Sequence, residues 1–180
     1  MQADQEYSVI GKPPSIFDDY VMEMESNGSS VQLALQEMTL DFFQRSLHNA
    51  HPIKADVILF TFSIANVEAL QTISSLVCQE KSSSTLPAPC MLVGLKKDIR
   101  VMAEATDGSR EMLGQFVSSK QGALAAESMG ARYYIECSSA SGEGVQHVFM
   151  GATELAFAEA DEAPGRGRLA KVAQRISCLR

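Results

Sequence analysis

Lys96 and Asp98 are the residues of this chain whose types and setting most suggest chemistry. They follow an apolar run, Cys90 to Val93, that breaks at Gly94 and leads into a charged cluster ending at Asp98. A short apolar run bounded by turn residues reads as a strand buried on both faces, as in a parallel sheet. Ligands of open α/β sheets bind just beyond the carboxyl ends of strands, which is where these two side chains fall. A carboxylate there can accept two hydrogen bonds from a planar donor edge, such as the N1–H and N2–H of guanine. The Lys stem can lie flat over such a base, its apolar length excluding water. A solvated strand end fits the same pattern, and this stretch alone does not separate the two.

Other reactive residue types are less telling. Cys137 and His147 would pair a nucleophile with a base, but no third orienting group is evident, so both are read as structural. His48 and His51 stand three apart and could ligate a metal with Glu37 or Asp41; ordinary surface histidines are the simpler reading. Cys78, Cys90, Cys137 and Cys178 show no Cys-x-x-Cys spacing, so neither a zinc site nor a disulfide framework is indicated. The nine methionines read as core and helix-face filler.

The elements that must position Lys96 and Asp98 alternate between strands and helices. Tyr7 to Ile10 is a short strand candidate, and Pro13-Pro14 imposes an extended backbone. Asn27-Gly28 is a hairpin turn signal between Ser15 to Glu25 and Val31 to Leu35. Gln36 to Lys54 has no clean period and reads as a loop with a short helix. Asp56 to Ile64 is a buried strand, and Asn66 to Glu80 a helix with Val67, Leu70, Ile73, Leu76 and Val77 on one face. Asp107 to Val117 and Gln121 to Met129 read as helices, the second ended by Gly130. Tyr133 to Cys137 is a strand and Val145 to Ala158 an amphipathic helix. The fold class is therefore α/β, a mostly parallel sheet flanked by helices and opened by one antiparallel hairpin.

At 180 residues, the chain has room for one domain and tails. A net charge of −7 argues against broad nucleic-acid binding, which needs a basic face. No signal peptide or membrane-length apolar run is seen, so the expectation is a soluble cytoplasmic protein.

Several ordered motifs resemble a Rho-family small GTPase of the Ras superfamily. Pro14-Ser-Ile-Phe-Asp-Asp-Tyr-Val resembles the switch I segment P-T-V-F-x-N-Y, and Leu92-Val-Gly-Leu-Lys-Lys-Asp-Ile-Arg resembles the guanine motif L-V-G-N-K-x-D-L-R. Gln121-Gly122, Gly130-Ala131 and Tyr134-Ile-Glu-Cys-Ser138 resemble Q-G … G-A-x-x-Y-x-E-C-S-A, and Val101 to Ser119 falls where Rho proteins carry an insert helix. The resemblance runs from about Pro14 to Ala158 and implies guanine contacts at Lys96, Asp98 and Ser138. It also implies effector binding through Ser15, Ile16, Phe17, Asp18 and Tyr20, and vestigial Mg²⁺ ligation by Ser15 and Glu37.

The departures bear on activity. No G-x-x-x-x-G-K-[ST] loop is found, and Gly11-Lys12 is followed by Pro13 where Ser or Thr is needed. Where the family has D-T-A-G-Q, this chain has Glu37-Met-Thr-Leu-Asp41, with Leu40 for the Gly and Asp41 for the Gln that orients water. Leu95 replaces the pocket's Asn or Thr, and Ser139 and Ala140 replace the Ala and Lys after Ser138. The expectation is a small-GTPase-like fold whose first strand and phosphate loop are missing. It would be a pseudo-GTPase acting by protein binding, with GTP/GDP and Mg²⁺ bound weakly or not at all. The rivals are a guanine-nucleotide switch of low GTPase activity and a truncated product of a GTPase gene.

Residues 1–12 are set apart as an N-terminal segment, 13–160 as the domain, and 161–180 as a flexible basic tail with Arg166, Arg168, Lys171, Arg175 and Arg180. Cys178 stands third from the end, one place short of a Cys-a-a-X signal, so weak membrane contact through basic charge is expected and no stable lipid anchor. A missing first strand would leave a gap between Val31–Leu35 and Asp56–Ile64. Tyr7 to Ile10, direct pairing of the flanking strands, dimerisation or a strand-donating partner are the ways to close it.

Overall fold

The structure, a computed structural model, describes residues 19–26, 29–47, 55–83, 86–106, 115–162 and 173–179. In chain order the elements are β1 (Asp19–Ser26), β2 (Ser29–Met38), α1 (Leu40–Leu47), β3 (Val57–Ser63), α2 (Val67–Ser83), β4 (Cys90–Leu95) and α3 (Lys97–Thr106). They continue with α4 (Ser119–Met129), β5 (Tyr134–Glu136), α5 (Val145–Glu162) and β6 (Ala173–Leu179). The strands make one sheet of six, in the order β1-β2-β6-β3-β4-β5.

Side-chain alternation along β3 and β4 divides the core into two layers. Ile58, Phe60, Phe62, Cys90 and Leu92 face one side, where they join Phe43 of α1, Leu70, Ile73, Leu76 and Val77 of α2, and Ala126 and Met129 of α4. Val57, Leu59, Met91 and Val93 face the other, where they meet Val148, Ala152, Leu155 and Ala156 of α5. The hairpin adds Val31 and Leu33 to this second layer. Strands buried on both faces explain the near-continuous apolar runs read from the sequence.

The hairpin forms as its turn signal predicts, with β1 antiparallel to β2 and Ser26 opposite Ser29. Gly130 caps α4 at φ 62°, a left-handed conformation that glycine adopts without steric penalty. At the other end of α4, Ser118 and Gln121 form a capping box. The expected helix over Asp107 to Val117 is not seen at 115–117, which form a turn and irregular backbone; 107–114 lie outside the described residues. Helix α3 was not foreseen; of its side chains only Ala103 is buried, so it lies mostly outside the core.

The largest correction concerns the tail. Residues 161–180 read as flexible, yet α5 continues to Glu162 and Ala173–Leu179 forms β6 in the middle of the sheet. It runs parallel to β2 from Gln32↔Ala173 to Met38↔Leu179, and parallel to β3 from Val57↔Ile176 to Phe60↔Leu179. This is the place the resemblance leaves for a missing first strand. The expected ways of closing a gap here did not include this segment, which lies between β2 and β3. Each buried backbone group left unpaired costs about 1–3 kcal/mol, so a gap between β2 and β3 would undermine the domain. Tyr7 to Ile10, the local candidate, lies outside the described residues.

Candidate functional site

At the carboxyl rim of the sheet, β4 ends at Leu95 and the chain turns through Lys96 straight into α3. Lys96 holds φ 63°, the one left-handed non-glycine residue among those described. An L-residue there costs roughly 1–2 kcal/mol per residue, so surrounding bonds must hold it. They do: Lys97 N–H donates to Cys137 O at 3.1 Å, Ile99 N–H to Lys96 O at 3.1 Å, and Ile64 N–H to Leu95 O at 3.0 Å. This tight turn sets Asp98 in the first turn of α3, where the helix dipole favours a carboxylate.

Ser138 is fully buried and donates its hydroxyl to Asp98 Oδ1 at 2.5 Å. The same Oγ accepts from the N–H groups of Ala140 and Ser141, at 3.2 and 3.3 Å, which fixes the turn after β5. The predicted residues Asp98 and Ser138 therefore meet. Lys96 stands exposed beside them. Leu95 packs into the apolar layer against α5 and offers no hydrogen bond to a pocket. Lys97, given no role from sequence, pairs with Glu143 and ties the start of α3 to the loop before α5.

Behind this turn is a polar network that sequence reasoning missed. Arg100 of α3 forms a largely buried ion pair with Glu136 of β5. Arg100 Nη1 also donates to Val117 O at 2.7 Å and Nη2 to Ser119 Oγ at 3.2 Å, while the Tyr134 hydroxyl donates to Glu136 Oε1 at 2.8 Å. Burial alone would raise the Glu136 carboxyl, but hydrogen bonds from Arg100 and Tyr134, with the Arg100 charge, bring it below the ordinary range. Tyr134 is pushed well up by burial and by its bond to Glu136. Its ring crosses Gly122 so closely that a Cβ there would lie 2.1 Å from Cζ, which is why α4 needs glycine at this position. All these residues lay within the quoted motifs, but a pairing 36 positions apart leaves no local signal.

A cleft of about 400 Å³ opens beyond β5, lined by Lys97, Glu136, Glu143 and His147 among others. Neither Lys96 nor Asp98 lines it. Cys137, the residue after β5, is buried, and burial pushes its thiol up, away from nucleophilic character. The structural reading of Cys137 fits that environment.

The other half of the rim, after β2, is built differently. Thr39 caps α1, its Oγ1 accepting from Phe42 N–H at 3.3 Å and its carbonyl from Phe43 N–H at 3.0 Å. Phe43 is fully buried and meets Phe60 edge to face, with centroids 5.5 Å apart and planes at 88°. Leu40 and Leu47 pack against the same layer. Asp41 points to solvent and pairs with Arg45 one turn on, at 2.7 Å.

Of the effector-binding residues, Tyr20 lies exposed on β1, while Ser15, Ile16, Phe17 and Asp18 lie outside the described residues, as do His48 and His51. Of the two Mg²⁺ candidates, Ser15 lies outside them too, and Glu37 stands on β2 opposite Cys178 of β6. Mg²⁺ demands near-octahedral oxygen ligands. Near Glu37 the next carboxylate in the chain, Asp41, is engaged by Arg45. No group of three His, Cys, Asp or Glu side chains that could hold a metal is gathered among the described residues.

Comparison with known proteins agrees with the geometry. The family model described as "Ras family" matches residues 4–157. The chain is 36% identical over 148 residues to GTP-binding protein rho2 of Schizosaccharomyces pombe, covering 82% of this chain and 74% of that protein. It is 33% identical over 144 residues to GTP-binding protein RHO2 of Saccharomyces cerevisiae, covering 80% and 73%. To GTP-binding protein RHO1 of Candida albicans it is 32% identical over 145 residues, again covering 80% and 73%. A helix-flanked, mostly parallel sheet, a Ras-family match over most of the chain and Rho relatives over a similar span lead to one conclusion. The chain belongs to the Ras family of small GTPases, as a protein of the Rho type.

Proposed function

We propose that this Rho-type protein acts by binding protein partners and that its handling of guanine nucleotide is weak or lost. The observation that carries this reading is β6. Small GTPases of this type bring their phosphate-binding loop to the rim on a strand between the counterparts of β2 and β3. Here β6 is hydrogen-bonded on both sides in that place, so no other strand can enter while it stays. The rim after β2 adds to the argument: α1 is capped by its own Thr39, and Asp41 is turned to solvent. A base-edge contact at Asp98 without phosphate contacts gives little affinity. Partner binding would use the surface that includes exposed Tyr20 and Val21 of β1, next to the segment that resembles switch I.

The test is calorimetric titration of the full chain with GDP and GTP, with and without Mg²⁺. Binding no tighter than about micromolar, indifferent to Mg²⁺, is expected. Nanomolar, Mg²⁺-dependent binding that disappears in Asp98→Ala would overturn the reading in favour of a working switch. That second reading has its own support, since the Asp98–Ser138 contact is intact.

A further inference from the structure

We infer that the slot between β2 and β3 is a strand-accepting site that can be filled in trans, its ligand being the C-terminal strand of a second copy of this chain. The inference is independent of whether nucleotide binds.

Three observations support it. First, β6 is the only hydrogen-bonded bridge between two parts of the sheet among the described residues: β2 pairs otherwise with β1 alone, and β3 with β4 alone. An empty slot would leave two long strand edges unpaired, so the slot must be occupied, but nothing requires the occupant to be on the same chain. Second, the occupant is recognised through its backbone. Seven residues of β6 pair with β2 and four with β3, all parallel, and an identical segment from another copy supplies the same bonds. Third, the topology permits the exchange. Ten residues, 163–172, separate α5 from β6, and β6 is the last of the described elements. Ten residues span at most about 33–36 Å when extended. None of the other described elements has to be unthreaded for β6 to leave.

Charge favours the second copy over an arbitrary strand. Residues 163–180 carry five basic residues and no acidic one, which leaves ten of the fifteen basic residues and all 22 acidic ones in residues 1–162. A basic segment delivered to an acidic body is attracted before any strand is formed. Reciprocal exchange also closes as a two-fold dimer, because each copy donates what it receives. Exchange requires β6 to leave a central position, so it should be slow and should quicken with temperature.

The test uses full chains with Cys78→Ser and Cys178→Ser. One population carries Gln36→Cys, another Ser177→Cys; these positions are opposite each other in the β2–β6 register. A third carries both, and a fourth carries Ser139→Cys, at an exposed site, to measure random collision. A short thiol crosslinker is added after incubating the first two populations together with warming. The expected result is a two-chain product about tenfold or more above the Ser139→Cys control, increasing with protein concentration. The doubly substituted chain should close on itself when dilute. Closure of that chain with no two-chain product above control would mean that β6 is held only in cis, and would overturn the proposal. Failure of the doubly substituted population to form either product, in a sample that melts cooperatively, would also overturn it, because β6 would then be beside β2 in neither arrangement.

Discussion

The two halves of the sheet's carboxyl rim have come to different ends. On the side of β4 and β5, Asp98 and Ser138 remain in contact, and the turn at Lys96 is braced by Lys97, Cys137 and Ile64. On the side of β2 and β6, Asp41 faces solvent, Phe43 fastens α1 to the core, and a C-terminal strand stands in the sheet. The contrast teaches that one rim can be held by a polar contact on one side and by apolar packing on the other. Asp98 and Ser138 hold the chain where it leaves β4 and β5. Phe43 does the same for α1 through the core.

The largest expected effect lies in the rebuilt half. Phe43→Ala should destabilise the protein by about 3–5 kcal/mol, the usual range for emptying a buried Phe site. Hydrogen exchange should speed up across α1 while the Lys96 turn stays protected; equal loss at both would mean the halves are not separate.

Glu136→Gln tests the retained half. It leaves Arg100 buried without its counter-charge and should cost about 3 kcal/mol near neutral pH. Because the Glu136 carboxyl is held below its ordinary range, its contribution is complete above the unfolded carboxylate value of about 4.3 and fades as pH falls through the lower folded value. Chemical denaturation of both proteins along an acid series should therefore show the gap between them closing at low pH. A gap that stays constant into acid would refute the ion-pair account.

The smallest effect is expected for Asp41→Gln, which installs the side chain that the resemblance to the family places at this position. Asp41 and Arg45 are both largely exposed, so stability should change by less than about 0.5 kcal/mol. GTP turnover should not appear, because the side chain is on a helix aimed at solvent. Turnover gained from this one change would show that the rebuilt half still holds nucleotide.

Much of this architecture could be read from local pattern. The apolar runs at Asp56–Ile64 and Cys90–Val93 gave the two central strands, Asn27-Gly28 the hairpin, and Gly130 the end of α4. Asp98 and Ser138 could be read because their motifs stand at the right separation. What escaped is non-local or contributes little to the core. Helix α3 exposes Val101 and Met102 and buries only Ala103. The Arg100–Glu136–Tyr134 network joins α3 to β5 across a long stretch of chain. Segment β6 follows a run of Gly, Pro and Arg and carries Gln174, Arg175 and Ser177 among its seven residues. By its own propensity it is a poor strand, and it becomes one because β2 and β3 offer their edges to it.

The place of β6 in the sheet also bears on how the protein is made. Of the described elements, a ribosome releases the hairpin before β3, β4 and β5 with their helices, and the strand that joins the two parts after all of these. Domains often fold while synthesis continues, but this sheet cannot be completed until residue 179 has emerged. Until then the nascent chain holds open the edges of β2 and β3, and neighbouring nascent chains on one message hold the same edges at the same moment. Polysomes are thus where chaperone dependence and mispairing between copies should be greatest.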